Sequence, residues 1–300
     1  QSVLAFCYIE YATTGTTVEK GNLMIRNSQI SENLEDGITI VNSEVKVENN
    51  EIVNNAVGVS VTGSNQVFMQ NNTFRANAVG ILLTGISGSG VNISQNFVLS
   101  NTQSGIELKA DAYVNLIILN NVVSSNNHGF YVSGNANTLI TNNTISSNNI
   151  GIFYEGVEDH EAHFNDIYGN DVGMDVLSDA IVNATYNYWG DKSGPYHMSL
   201  NPSGKGNPVG GNGVNLDFIF FLTAPIDHIN ERPTAELLTD KKVVPPNQPV
   251  TLIATQSTDD GRVDQYFFDF GDGENSGWTT LSIFVHKYSS VGTYSASVAV

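Results

Sequence analysis

The side chains able to do chemistry crowd into one stretch. Glu155, Glu158, Asp159, His160, Glu161, His163, Asp166, Asp171 and Asp175 follow in close succession. Imidazoles mixed with carboxylates suit zinc or copper. Two carboxylates about 5–5.5 or 6.5–9.5 Å apart would instead serve glycoside hydrolysis, and Glu155 with Asp175 is the candidate catalytic pair. A second acidic group, Asp259, Asp260, Asp269 and Asp272, stands among glycines. Hard oxygen ligands of that kind suit calcium as a cofactor; Asp beside Gly equally makes tight turns. Asn71, Asn92, Asn142 and Asn183 each open an Asn-x-Ser/Thr triplet, the acceptor pattern for glycosylation of exported chains.

Which of these side chains can meet depends on the elements that carry them, and those elements repeat. An Asn followed two residues later by an apolar residue recurs at Asn50, Asn72, Asn96, Asn121, Asn143, Asn165 and Asn187, with spacings of 22, 24, 25, 22, 22 and 22. Ser28 fills the slot one repeat earlier. A second column holds Asn33, Asn55, Asn77, Asn101, Asn126, Asn148 and Asn170, and a third holds Gly37, Gly58, Gly80, Gly105, Gly129, Gly151 and Gly173. A unit of this length cannot bury its own core and must stack on its neighbours. The alternating segments after each glycine are strands. Parallel strands stacked in register set like on like every ~4.8 Å, which favours ladders of Asn amides that donate and accept between rungs. The glycines are expected at corners with positive φ.

Counting from each glycine, the first and third residues point inward: Ile38 and Ile40, Val59 and Val61, through to Met174 and Val176. The second and fourth point outward. One outward column reads Thr39, Ser60, Leu82, Glu107, Tyr131, Phe153, Asp175, and the other Val41, Thr62, Thr84, Lys109, Ser133, Glu155, Leu177. Tyr131 and Phe153 therefore stack on the outer surface, flanked by Glu107, Glu155 and Asp175. That surface is a candidate carbohydrate-binding groove, or else an aromatic cross-strand pair that covers the sheet. Aligned on Asn165, His160 faces inward as a core histidine whose hydrogen bonds are met, and His163 faces outward with Glu161. Cys7 falls near a core rung as inert packing.

Over about residues 1–190 this pattern resembles the right-handed parallel β-helix repeat of the pectate-lyase-like superfold. The strings Asn187-Tyr188-Trp189-Gly190, Ser193-Gly194-Pro195, Asn201-Pro202 and Gly204-Lys205-Gly206-Asn207 resemble the C-terminal end of surface and periplasmic β-helix proteins, among them those linked to copper-site maturation. There Trp189 reads as a core plug, and an apolar strand from Leu216 to Leu222 as a cover for the open end. Asp269-Phe270-Gly271-Asp272-Gly273, with His286-Lys287-Tyr288 and Gly292-Thr293-Tyr294 after it, resembles a polycystic-kidney-disease (PKD) domain; Phe267 stands where that family usually has Trp. The resemblance implies an all-β chain. It comprises a parallel β-helix of about eight rungs over residues 1–230, closed by residues of about 190–230, and an immunoglobulin-like β-sandwich over 231–300.

The balance of 30 acidic against 12 basic residues, net −18, repels phosphate backbones and makes nucleic acid a poor partner. The longest strongly apolar stretch, Leu216 to Leu222, is far below the ~20 residues of a spanning helix. A single cysteine allows no internal disulfide. The chain opens and stops inside patterned sequence, as a piece of a longer precursor would. A pectate-lyase-like mechanism would need Asp-held calcium and a basic residue, and Lys109 is the one cation in the two outward columns. No string matches the paired Asp, His and Arg-x-Lys of polygalacturonases.

The expectation is a non-catalytic extracellular or cell-surface protein, structural or adhesive, in a surface layer, sheath or fibre. Its partners are glycans, other surface proteins or further copies of itself. A polysaccharide-active lyase or hydrolase and a periplasmic metal-handling β-helix protein are the two alternatives.

Overall fold

The structure is a computed structural model that describes residues 2–63, 66–86, 90–156, 158–177, 180–210, 215–226, 234–258, 263 and 265–300. All its regular elements are strands; there is no helix among the described residues. The chain divides into two compact units, Gln1–His228 and Ile229–Val300.

The first unit is a parallel β-helix with three faces. The first face stacks Ser2–Ala5, Asn22–Arg26, Glu44–Glu48, Gln66–Gln70 and Gly90–Ser94 in parallel register. The second is a sheet of eight short strands from Tyr8–Glu10 to Asp166–Tyr168, which fixes eight rungs. The third stacks Thr16–Glu19, Asp36–Val41, Val57–Thr62 and Val79–Thr84, and ends with Ile150–Tyr154 and Val172–Val176. Between them, Ser104–Leu119 and His128–Thr141 run unbroken from the third face round to the first of the next rung, with a register shift between Ala110 and Val114. The alternation dictates the core. Ile38, Ile40, Val59, Val61, Ile81, Leu83, Ile152 and Met174 are all fully buried, each stabilising by about 1.5–3 kcal/mol.

Both Asn columns form the expected ladders. From Asn50 to Asn187, the backbone N–H and the Nδ2 of each Asn donate to the Oδ1 of the next at 2.9–3.1 Å. Nδ2 also donates to a core carbonyl of the rung before, as Asn121 does to Ile93 O at 3.0 Å. One side chain thus ties three rungs together and leaves no amide hydrogen unmet.

The corner chemistry differs from expectation. The glycine column is not in the left-handed region; that conformation falls on the residue before each ladder Asn. Asn49, Asn71, Gln95, Asn120, Asn142, Phe164 and Tyr186 precede the first ladder and Glu32, Asn54, Ala76, Ser100, Ser125, Ser147 and Gly169 the second, all with φ between 52° and 64°. Glycine is needed in its own column for a different reason. A Cβ on Gly58 would run into the carbonyl oxygen of Gly80 and would lie 3.2 Å from Asn77 Nδ2. Only a bare α-carbon lets the backbone pass that close to the next rung.

The closing segment completes the helix. Trp189 is fully buried in the core column. Asn207 accepts from the Nδ2 of Asn170 at 3.0 Å and so carries the second ladder one rung further. The segment Leu216 to Leu222 is a strand only over Leu216–Asp217; beyond it Phe218 turns in, while Ile219 and Phe220 point out. Its backbone stays tied to the rung above through Ala184 N–H to Asp217 O and Leu222 N–H to Asn187 O.

The second unit is antiparallel. One sheet pairs Leu238–Thr239, Pro249–Ile253 and Ile283–Lys287, and the other Asn275–Thr279, Tyr266–Asp269 and Ser297–Ala299. Leu252, Ala254, Tyr266, Phe268 and Phe270 form their common core.

Candidate functional site

The third face holds the candidate aromatic and acidic side chains. Its strands stay in register over the outward column, so Leu82, Glu107, Tyr131, Phe153 and Asp175 stand one above another. The Tyr131 and Phe153 rings stack with centroids 5.5 Å apart and planes 14° apart. His128, half-buried at the start of its strand, sets its ring 5.6 Å from Tyr131 and 5.4 Å from Phe153. Burial lowers the His128 pKa, and the nearby Glu107 charge opposes that shift in part.

The carboxylates are committed in different ways. Glu107 lies in the outward column, yet it is only 7% exposed, lodged between Leu82 and Tyr131 with its carboxylate 2.5 Å from Lys109 Nζ. It buttresses the rings and does not reach out beside them, a correction to its expected role as an open flanking acid. Glu155 is exposed and accepts the Tyr131 hydroxyl. That bond, with the carboxylate's charge, pushes the Tyr131 pKa up to about 12. Asp175 is half-buried, and its Oδ1 accepts the Val176 N–H at 3.0 Å. Glu155 therefore reaches toward the rung before its own, while Asp175 sits on the rung after. The two acids have separate partners and share no hydrogen bond.

The remaining candidates are dispersed. His160 is buried against Tyr154, rings 4.1 Å apart, with Nδ1 3.1 Å from Thr138 Oγ1. Its Nε2 has no partner, nor has the Tyr154 hydroxyl, so this core histidine is only half satisfied. Burial drops its pKa to about 4. His163 holds the Thr185 carbonyl at 3.0 Å and approaches Glu161 at 3.7 Å. Cys7 is half-buried, and its N–H donates to Ser28 Oγ in the slot that Asn fills lower down. Of the four acidic residues in the second unit, Asp259 and Asp260 lie outside the described residues. Asp269 Oδ1 accepts the Gly271 N–H at 2.9 Å, and Asp272 bonds His286 Nε2 at 2.7 Å and the Glu274 N–H at 3.1 Å. Asn71 and Asn142 take up left-handed corner positions. Asn92 stands on the outer surface of the first face between Phe68 and Ile117, and Asn183 is exposed.

A family model described as "Periplasmic copper-binding protein (NosD)" matches residues 5–207. The chain belongs to the NosD family. A PKD domain model matches residues 230–300. Among solved structures, the chain is similar to an alginate lyase from Paenibacillus sp. str. FPU-7, at 12% identity over 72% of this chain and 91% of that one, with a TM-score of 0.46. It is also similar to the Dettilon tailspike protein (gp208), at 13% identity over 85% of this chain and 68% of that one, with a TM-score of 0.44. No curated protein matches it.

The NosD description implies copper, and the donors among the described residues do not fit it. Among the described residues no three His, Cys, Asp or Glu side chains converge on a point. His160 is sealed in the core, His163 is held by Thr185, His197 Nδ1 accepts the N–H groups of Ser199 and Leu200, and His286 is paired with Asp272.

Sequence reasoning found the Tyr131–Phe153 stack and the acids around it but missed His128. The available signal was a lone aromatic base directly before a glycine of the third column, where Ser104, Ile150 and Val172 stand in the neighbouring rungs.

Proposed function

We propose that this chain is a non-catalytic glycan-binding protein of the cell exterior, with the third face of the β-helix as its binding surface and the PKD domain as a spacer. The Tyr131–Phe153 stack with His128 beside it carries the reading. Rings offer flat apolar area at low entropic cost, and sugars present matching C–H faces with hydroxyls at the rim. Glu155 and the outer columns supply hydrogen-bonding oxygens there. A rigid rung spacing holds the rings in place before any ligand arrives, which lowers the cost of binding. An extracellular or a periplasmic setting is compatible with this reading.

The enzyme alternative asks for one protonated and one ionised acid facing a common bond. Glu155 and Asp175 are engaged with different groups on opposite sides of the Phe153 rung, which favours holding a chain over cleaving it. The test is retention of the intact protein on immobilised polysaccharides, with polymer length followed in parallel. We expect retention that Tyr131→Ala with Phe153→Ala abolishes, and polymers of unchanged length. Shortened polymers, lost on Glu155→Gln or Asp175→Asn, would make the protein an enzyme instead.

A further inference from the structure

The charge around the rings goes further than the general reading and indicates which sugars the face selects. Glu155 is exposed and Asp175 half-exposed beside Tyr131 and Phe153. The single cation of the two outward columns, Lys109, lies 2.5 Å from Glu107 and is neutralised there. The Tyr131 hydroxyl already donates to Glu155, so it is not offered to an incoming anion. Burial lowers the His128 pKa and so favours its neutral form. A ligand carboxylate would thus meet two acids and no unpaired cation. A ligand ammonium would meet the same two acids and the negative faces of the rings, which attract cations within about 6 Å. The whole chain, at net −18, adds a field of the same sign.

We propose that the third face takes basic glycans, chains whose sugars carry free amino groups, and rejects polyuronates. This rests on the glycan-binding reading above. The same rings beside unpaired Lys or Arg would select the opposite class.

Three oligomers of equal length separate the cases in titration calorimetry: glucosamine, its N-acetylated counterpart and galacturonate. The glucosamine oligomer should bind about tenfold more tightly than the acetylated one, and its affinity should fall as salt screens the exposed acids. Galacturonate should not bind measurably. Glu155→Gln with Asp175→Asn should narrow the gap between the first two, while Glu48→Gln, on another face, should leave it unchanged. Equal or tighter binding of the acetylated or uronate oligomer overturns the inference but leaves the glycan reading standing. Glucosamine binding that Tyr131→Ala leaves intact, or that Glu48→Gln weakens equally, is diffuse polycation attraction and overturns it too. No binding by any oligomer overturns both.

Discussion

Two columns of the same rungs behave in opposite ways. Inside the corner, Asn recurs from Asn50 to Asn187 without exception, each amide bonded to the next. Outside the third face, in the same register, the column changes from Thr39, Ser60 and Leu82 to Glu107, Tyr131, Phe153 and Asp175. The inner column repeats because every rung must satisfy the same buried donors. The outer one faces solvent and is free of that demand. It departs from repetition over a few adjacent rungs, where rings stack and an acid is buried against them, and the proposed binding surface is placed there.

The inner ladder should give the largest effect. Asn121→Ala removes the Oδ1 that accepts both the N–H and the Nδ2 of Asn96. The buried N–H of Asn96 is stranded at about 1–3 kcal/mol, while its Nδ2 keeps the carbonyls of Met69 and Ser94. The bonds from Asn121 Nδ2 to the Ile93 and Leu119 carbonyls are lost as well, so urea unfolding should show a loss of roughly 2–5 kcal/mol. A loss below 1 kcal/mol would mean that the ladder decorates the fold and does not hold it.

His160 gives the next effect in size, and its sign follows from burial. Its pKa is about 4 in the folded chain against 6.5 unfolded, so the unfolded state takes the proton first. Stability is complete above the unfolded value and declines as the pH falls, down to about 4. The total is about 3 kcal/mol at 1.36 kcal/mol per unit. Unfolding midpoints across that window should show the decline, and His160→Leu should flatten it.

The outer column predicts smaller numbers and a different readout. Phe153→Ala should leave unfolding within about 1 kcal/mol of wild type, since its ring is half-exposed, yet weaken glycan retention about tenfold. Smallest is the effect of acid on the second unit. The bond from His286 holds the Asp272 carboxyl below its usual range. The stability that Asp272 contributes is present above the ordinary carboxylate range and is lost as the pH falls through the depressed value. In Asp272→Asn, the acid limb of a PKD-specific unfolding signal such as Trp278 fluorescence should shrink.

The three-column repeat made most of the fold legible before any coordinates. Period and alternation set the rungs, the inward residues and the stacking of Tyr131 on Phe153. What escaped it was geometry that spacing does not encode. Left-handed corners fall on residues as unlike as Asn71, Ala76, Phe164 and Tyr186, so no residue type marks them. The glycine column looked like a turn signal and is a close-approach signal. Asn207 joins the second ladder from 37 residues beyond Asn170, outside the repeat period. Among the site residues, Glu107 shares the outward column yet is buried between Leu82 and Tyr131, a depth that register alone does not encode. The partner that Glu155 chooses depends likewise on side-chain reach.

An alanine scan down the outer column, read as glycan affinity, separates the rungs that bind from those that only build the fold. Thr39→Ala and Ser60→Ala should bind as wild type does, while Tyr131→Ala and Phe153→Ala should each lose about tenfold, with unfolding of all four within about 1 kcal/mol of wild type. Losses spread evenly along the column, or none at Tyr131 and Phe153, would contradict the assignment of function to the rungs that break the repeat.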